Sequence, residues 1–390
     1  MLKRNSITSH KLIDLVRNLY DTQDFIPMYE PTFDGNEKTY LNEAIDSTYV
    51  SSVGKFVDQF EVKVESFTKV KKAVATVNGT AALHTALYLS GVRSGDLVLT
   101  QALTFVATCN AISQLGALPV FIDIECQSFG LCPDATERWL TENAYIDVDG
   151  HCRHSDTNAI IRALIPMHTF GHPVKLDQLE LISKMWNLVL IEDAAESLGS
   201  LYKGRHTGTI GRFGALSFNG NKIITTGGGG MILCREGTDG TWAKHVTTTA
   251  KVPHPYEFYH DESGFNYRLP NLNAALGCAQ MEQLNQRLVY KRKLAKHYEE
   301  FFEESEFKFL KEPTYAQSNY WLNTVICKDF ETRNDLLRET NEAGVMTRPV
   351  WQLMHRLPMF TSALRGSLVN SEWAEQRLVS LPSCVNGVLA

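Results

Sequence analysis

Between residues 73 and 234 short runs of β-branched and apolar residues recur at 73–77, 97–100, 119–124, 159–165, 188–191, 215–218 and 231–234, and most are separated by a segment of helical period and length. Strand and helix in alternation predict an α/β fold, a mostly parallel mixed sheet with helices on both faces. Such sheets bind ligands at the carboxyl ends of their strands. The turns after these runs are therefore the places to look for chemistry: 78–80, 102–105, 192–196 and 219–222.

Outside this stretch the pattern is helical at the N-terminus, where Leu12, Ile13, Leu15, Val16 and Leu19 keep close to helical spacing, and again around 36–47 and 57–70. From 271 to about 304 a continuous helical pattern carries Leu272, Ala275, Leu276, Ala279, Met281 and Leu284 on one stripe, long enough to bridge two domains. Beyond it, 320–327 reads as a strand, 333–342 as a helix and 345–350 as a further strand. The expected organisation is an N-terminal helical extension at 1–25, a large domain at 26–270, the connecting helix at 271–304 and a small α+β domain at 305–390, with the N-terminal helices beside it.

Composition removes several function classes. The 390 residues are 44% apolar and 21% charged, the balance of a globular chain with a large core, and the net charge of −6 is not segregated into blocks. A nucleic-acid binder should show a basic footprint, and none is present. No apolar run reaches the ~18 residues of a membrane span and no signal-peptide core is evident, so the chain reads as cytoplasmic, without a membrane partner. Eight cysteines without a CxxC pair suggest free thiols, not a zinc cage. His168 and His172 are four apart, but Gly171 and Pro173 break any helix that would align them, so no metal site is expected and both read as satisfied loop histidines.

Lys222 has the most unusual surroundings. It follows the apolar run ending in Ser217, Phe218 and Asn219, and precedes four consecutive glycines at 227–230, where backbone must approach something closely or turn at positive φ. A lysine desolvated at such a place becomes nucleophilic, as Schiff-base chemistry requires. The glycine run is not a nucleotide loop, since neither GxxxxGK[ST] nor GxGxxG occurs. Twenty-nine residues earlier Glu192, Asp193 and Glu196 crowd the mouth of an otherwise apolar strand. Carboxylates there are costly unless paired with a cation or well hydrogen-bonded; a protonated pyridine nitrogen is a suitable cation, and a capping acid with an exposed partner is the other reading of this motif alone. Asn78, Gly79 and Thr80 close a strand and open a helix, which makes an anion site of the helix start. Phe105 could stack on a flat ring or simply fill core.

Taken in order, these features resemble fold-type I pyridoxal-phosphate enzymes. More narrowly, NGTAALHTAL, ALTFVATCNAI, IEDAAESLGS, GRFGALSFNGNKIITTGGGG and GFNYRLPNLNAALGCAQMEQL are similar to the DegT/DnrJ/EryC1/StrS sugar aminotransferase family, from about Pro27 to near the C-terminus. FIPMYEPTFDGNEKTYLNEAIDSTYVSSVGKFVDQFE, TTTAKVPHPYEF and RPVWQLMHRLPMF look closest to nucleotide-sugar 4-aminotransferases of bacillosamine or legionaminic acid type.

The resemblance implies pyridoxal 5'-phosphate as cofactor, passing through the pyridoxamine form. Lys222 would hold it as a Schiff base and then move the proton, while Asp193 would keep the pyridine nitrogen protonated. Phe105 would cover a ring face; Thr80 and Ala81, with Ser217, would hold the phosphate, and Gly79 and Asn219 would also bind the cofactor. Glu196 stands where the family often has Gln or His, near the ring hydroxyl. Asn266 and Arg268 match a segment that reaches the phosphate of the neighbouring subunit, which implies a homodimer with shared sites. Lys251, His254, Tyr320, Arg348 and His355 are the expected contacts to the nucleotide sugar.

The implied reaction moves the amino group of glutamate to C4 of a nucleotide-linked 4-keto-6-deoxy sugar, expected to be a UDP-linked 2-acetamido sugar for bacterial glycan biosynthesis. Transfer to C3, or a sugar dehydratase on the same scaffold, is the neighbouring reading. The dehydratase relatives carry histidine at the lysine position, which Lys222 disfavours. A pyridoxal-phosphate-binding regulator is the alternative from outside enzymology, and it would not need both Lys222 and Asp193.

Overall fold

The computed structural model describes residues 2–385. Its centre is a seven-stranded sheet in the spatial order Lys72–Thr76, Gly230–Cys234, Phe213–Ser217, Val189–Asp193, Ile161–Ile165, Leu97–Gln101 and Leu118–Ile122. The last five run parallel, and Gly230–Cys234 runs antiparallel to both of its neighbours. The strands are buried along almost their whole length, which is why they read in sequence as continuous apolar runs without alternation.

Helices cover both faces. Gly79–Leu89 brings Ala82, Leu83, Ala86 and Leu87 against Val98, Ile191 and Ala215. On another part of the sheet, Leu140, Leu179 and Ile182 pack with Leu99 and Leu164. A third apolar cluster joins Phe60, Phe218 and Leu216 to Ala274, Ala275 and Cys278 of the 32-residue helix Asn271–Phe302.

The buried face of that long helix differs from the expected stripe. Ala274, Ala275, Cys278 and Leu284 are fully buried, whereas Leu272 and Met281 only flank the core. Small residues face inward because Glu37–Asp46 and Lys55–Thr68 both lie close against this helix.

A second, antiparallel sheet has the order Lys308–Phe309, Asn323–Ile326, Leu378–Leu381 and Arg348–Pro349. Two of its strands are shorter than expected. Tyr320 has a left-handed φ of +47°, so extended structure starts only at Asn323. Pro349 has no N–H to carry a ladder further, so of 345–350 only Arg348–Pro349 join this sheet, while Val345 makes an isolated parallel bridge to Ile26. The N-terminal helix Leu2–Tyr20 sets Leu12 and Val16 beside Leu294, Tyr298 and Phe307, next to the helix Phe330–Glu342. Trp321, Leu322, Val350 and Leu353 share the core cluster of the large sheet, so the smaller sheet is anchored where the strands of the large one end. Among the described residues no helix is long and apolar enough to cross a membrane.

Candidate active site

At the carboxyl ends of the parallel strands lies a cavity of about 390 Å³. Its walls include Lys222, Asp193, Glu196, Gly79, Thr80, Phe105, Ser217 and Asn219, so residues spread over more than 140 positions of chain meet in one place.

The three acids of the strand end take different roles because neighbours in a strand point to opposite faces. Glu192 turns away from the cavity. Its oxygens accept from the amides of Gly208 (2.6 Å), Ile210 (2.7 Å) and Gly211 (2.7 Å), and it pairs with His168 Nε2 at 3.0 Å. Burial alone would raise this carboxyl, but His168 and the amides bring it below the usual range. Glu192 is thus a clamp on the loop 208–211, and His168 is satisfied as expected. His172 is not: it is fully buried, edge-on to Tyr320, and burial pushes its imidazole down to about 4. Neither of its ring nitrogens has a hydrogen-bond partner among the described residues.

Asp193 faces the cavity and is 3% exposed. Thr108 Oγ1, on the helix Val106–Gln114, donates to its Oδ2 at 2.6 Å, and the Ala195 amide donates to Oδ1 at 3.2 Å. Burial holds the carboxyl above its ordinary range in spite of these donors and of Lys222. A carboxylate in this condition is completed by a cation brought into the cavity.

Lys222 follows the strand Phe213–Ser217, and its side chain is 14% exposed. Its Nζ lies 3.6 Å from Glu196 Oε1 and 3.9 Å from the centre of the Trp321 ring. Burial lowers the amine, opposed by Glu196 and Asp193. Glu196 Oε2 accepts the Phe170 amide at 2.9 Å; burial pushes this carboxyl up to about 7 against the pull of Lys222.

The anion end of the cavity is the start of Gly79–Leu89. Asn78 caps it, its side chain accepting the Ala81 amide at 2.8 Å, which leaves the first-turn amides of Gly79 and Thr80 without intrahelical partners. Ala81 is therefore committed to the cap and does not line the cavity, contrary to expectation. Ser217 closes the other side, supported by the glycine run. A Cβ on Gly230 would fall 2.3 Å from the Asn78 carbonyl oxygen, so the two backbones can meet only with glycine there.

Over this geometry, the DegT/DnrJ/EryC1/StrS aminotransferase family profile matches residues 31–386. The chain belongs to that family. It is 34% identical over 364 residues to the GDP-perosamine synthase of Escherichia coli O157:H7, covering 93% of this chain and 95% of that protein. It is likewise 34% identical over 361 residues to the GDP-perosamine synthase of Vibrio cholerae, with 92% and 94% covered. Among solved structures it is similar to Helicobacter pylori PseC, an aminotransferase involved in the biosynthesis of pseudoaminic acid, with a TM-score of 0.83, 21% identity and 93% and 95% of the chains covered. The fold is fold type I, and family membership makes the protein a transaminase dependent on pyridoxal 5'-phosphate.

The residues present suit that cofactor: the buried carboxyl of Asp193, held above its ordinary range, the Lys222 amine 3.6 Å from Glu196 in the same cavity, an aromatic ring at Phe105, and helix-start amides without intrahelical partners at the far end. Other expected residues stand elsewhere. Tyr320 points out of the cavity, because its left-handed backbone sends Trp321 in instead; its hydroxyl accepts the Glu312 amide at 3.1 Å and its ring stacks on Phe309. Arg348 is exposed on the strand it shares with Pro349, and His355 is buried near Glu372; neither lines the cavity. Lys251, His254 and Arg268 line a separate surface cleft with Ser52 and Val53, and Arg268 donates to Asn266 Oδ1 at 2.9 and 3.1 Å. Thr108, Trp321 and Trp351 belong to the site or its support and were not anticipated. Thr108 stands in the segment ALTFVATCNAI but carries no sequence mark of a partner 85 residues away.

Proposed function

We propose that this enzyme transfers the amino group of glutamate to C4 of a nucleotide-linked 4-keto-6-deoxy hexose. The observation that carries the chemistry is the placement of Lys222 Nζ in a buried cavity between Asp193, Glu196 and the Trp321 ring. Bound there, pyridoxal 5'-phosphate supplies the electron sink that stabilises a carbanion. Lys222 then holds and returns the proton at its Nζ, serving both halves of the reaction as acid and base. Asp193 keeps the cofactor's ring nitrogen protonated, with Thr108 fixing the carboxyl's orientation. Gly79, Thr80 and Ser217 hold the phosphate, and Phe105 with Trp351, 6.2 Å apart between ring centres, narrows the entrance and limits water.

The preference for C4 is supported by the similarity to two proteins named GDP-perosamine synthase, whose product carries its nitrogen at C4. Those names also favour a guanosine link over the uridine link expected from sequence. The two are separated by supplying glutamate with UDP- and GDP-linked 4-keto-6-deoxy sugars and locating the new nitrogen by proton NMR. Amination at C4 of one of them is expected. Amination at C3, or elimination of a hydroxyl without nitrogen transfer, would overturn this reading.

The cleft of Lys251, His254 and Arg268, with Asn266 holding the Arg268 guanidinium, is assigned to the neighbouring subunit's cofactor phosphate or nucleotide. Beside these residues in the chain, Tyr256, Phe258 and Tyr259 are 79%, 81% and 62% exposed, an apolar surface that a second copy would cover. The reaction is assigned to the cytoplasm.

A further inference from the structure

The cavity holds one carboxyl more than the roles above require. Glu196 is 3% exposed, and its two oxygens are divided between a backbone amide and the Lys222 amine. The surrounding structure is built to keep it there. Asn319, 1% exposed, donates through Nδ2 to the carbonyls of Glu196 and Leu198, both at 2.9 Å, and its Oδ1 accepts the Trp321 amide at 2.8 Å. One buried amide side chain therefore fixes Glu196 and Trp321 to each other, and these are the two groups that flank Nζ. Trp321 is held from a second side by its indole N–H, which donates to the Asn221 carbonyl at 2.7 Å.

We infer that Glu196 and Trp321 form a seat for the proton-loaded amine of Lys222, with Glu196 as its counter-charge. Glu196 acts through Lys222 and is a positioning residue. A carboxylate on one side and an aromatic face on the other both favour the ammonium over the neutral amine. When Lys222 takes a proton from a substrate carbon, the charge on Nζ goes from 0 to +1 beside a carboxylate already in place. When the proton is returned to carbon, Nζ is neutral again and Glu196 is unchanged. No other reactant is needed. Among the described residues, Asp193, at the end of Val189–Asp193, is the remaining titratable group that faces the pair; the walls formed by Phe105, Met167, Trp321 and Trp351 carry no charge. Burial opposes both charges, and each ionised partner favours the other's, which agrees with this arrangement.

The inference rests on the aminotransferase reading only for the identity of Lys222, so its test is made without sugar or turnover. The full chain, freed of cofactor, is acetylated with acetic anhydride over a range of pH, and modification of Lys222 is followed by peptide mass spectrometry against the exposed lysines. Glu196→Gln removes the charge at constant shape. The midpoint for Lys222 should fall by roughly one to three pH units, the shift an opposite charge at this distance produces. Glu196→Asp keeps the charge but withdraws it by one methylene, and should give a smaller fall in the same direction, so it decides the matter if the Gln variant does not fold. A midpoint that stays in place or rises would overturn the proposal. A sugar panel that yields no product while the midpoint falls would instead sink the substrate assignment and leave this seat standing.

Discussion

Phe170 and Gly171 are consecutive residues at left-handed φ, +58° and +96°, and together they aim the Phe170 amide at Glu196. A Cβ on Gly171 would lie 1.9 Å from Asn319 Oδ1, and Asn319 cannot retreat without releasing Glu196 and Trp321. Gly171→Ala should therefore cost about 2 kcal/mol or more through strain and collision. Urea unfolding measures this, and an unchanged midpoint would contradict it. Thr108→Val removes the 2.6 Å bond to Asp193. Losing a charge-assisted hydrogen bond of about 1.5–3 kcal/mol should lower kcat/KM for glutamate roughly tenfold or more, with Thr108→Ser close to the parent. Equal values for the Val and Ser variants would count against the assigned role. Lys222 and Asp193 were legible in sequence because each sits just where an apolar run meets a turn. Trp321 was not, because one left-handed residue, Tyr320, decides which of two adjacent aromatics enters the cavity.

The long helix Asn271–Phe302 is the element that joins the two sheets, and its fit is set by small residues. A Cβ on Gly277 would come within 2.8 Å of Phe60 Cε2 and of Thr226 Cγ2, so the helix meets Lys55–Thr68 and the glycine-run turn at closest approach here. Gly277→Val should destabilise by about 1–3 kcal/mol through overpacking, read as a lower urea midpoint. It should also weaken cofactor retention, because Thr226 belongs to the turn that leads into Gly228 and Gly229 of the cavity wall; a variant as stable as the parent would show that this contact is loose. The strands of the large sheet and this helix were readable from sequence because their burial is complete and their period regular. The small sheet was read less well. Its strands are two to four residues long, and their ends are set by Pro349 and Tyr320, local events that a hydrophobic pattern does not register.

Across the whole molecule, pH acts through groups that folding holds away from their ordinary titration. His172 and His206 are buried, and burial brings both down to about 4. The unfolded chain takes up these protons near pH 6.5. The stability gained by keeping the rings neutral is thus complete above pH 6.5 and is lost as pH falls toward 4, about 2 kcal/mol for each ring at pH 5. Glu196, raised by burial, works in the opposite direction, so the comparison is best made between variants. His172→Phe, which preserves the edge contact to Tyr320, should reduce the loss between pH 7.5 and pH 5 by about 2 kcal/mol. Equal losses in the two proteins would refute this account. At the level of assembly, the proposed shared site predicts complementation: Lys222→Ala and Arg268→Ala subunits, inactive alone, should recover about a quarter of full activity when mixed and allowed to exchange, since one site in each hybrid is intact. No recovery would place Arg268 outside its neighbour's site. The central claim is that nitrogen passes from glutamate to the sugar through the cavity of Lys222, and the most direct measurement follows the atom itself. With 15N-glutamate and a nucleotide-linked 4-keto-6-deoxy sugar, the label should appear on C4 of the product with the parent enzyme and not with Lys222→Ala; an unlabelled sugar, or labelling that survives the substitution, would contradict it.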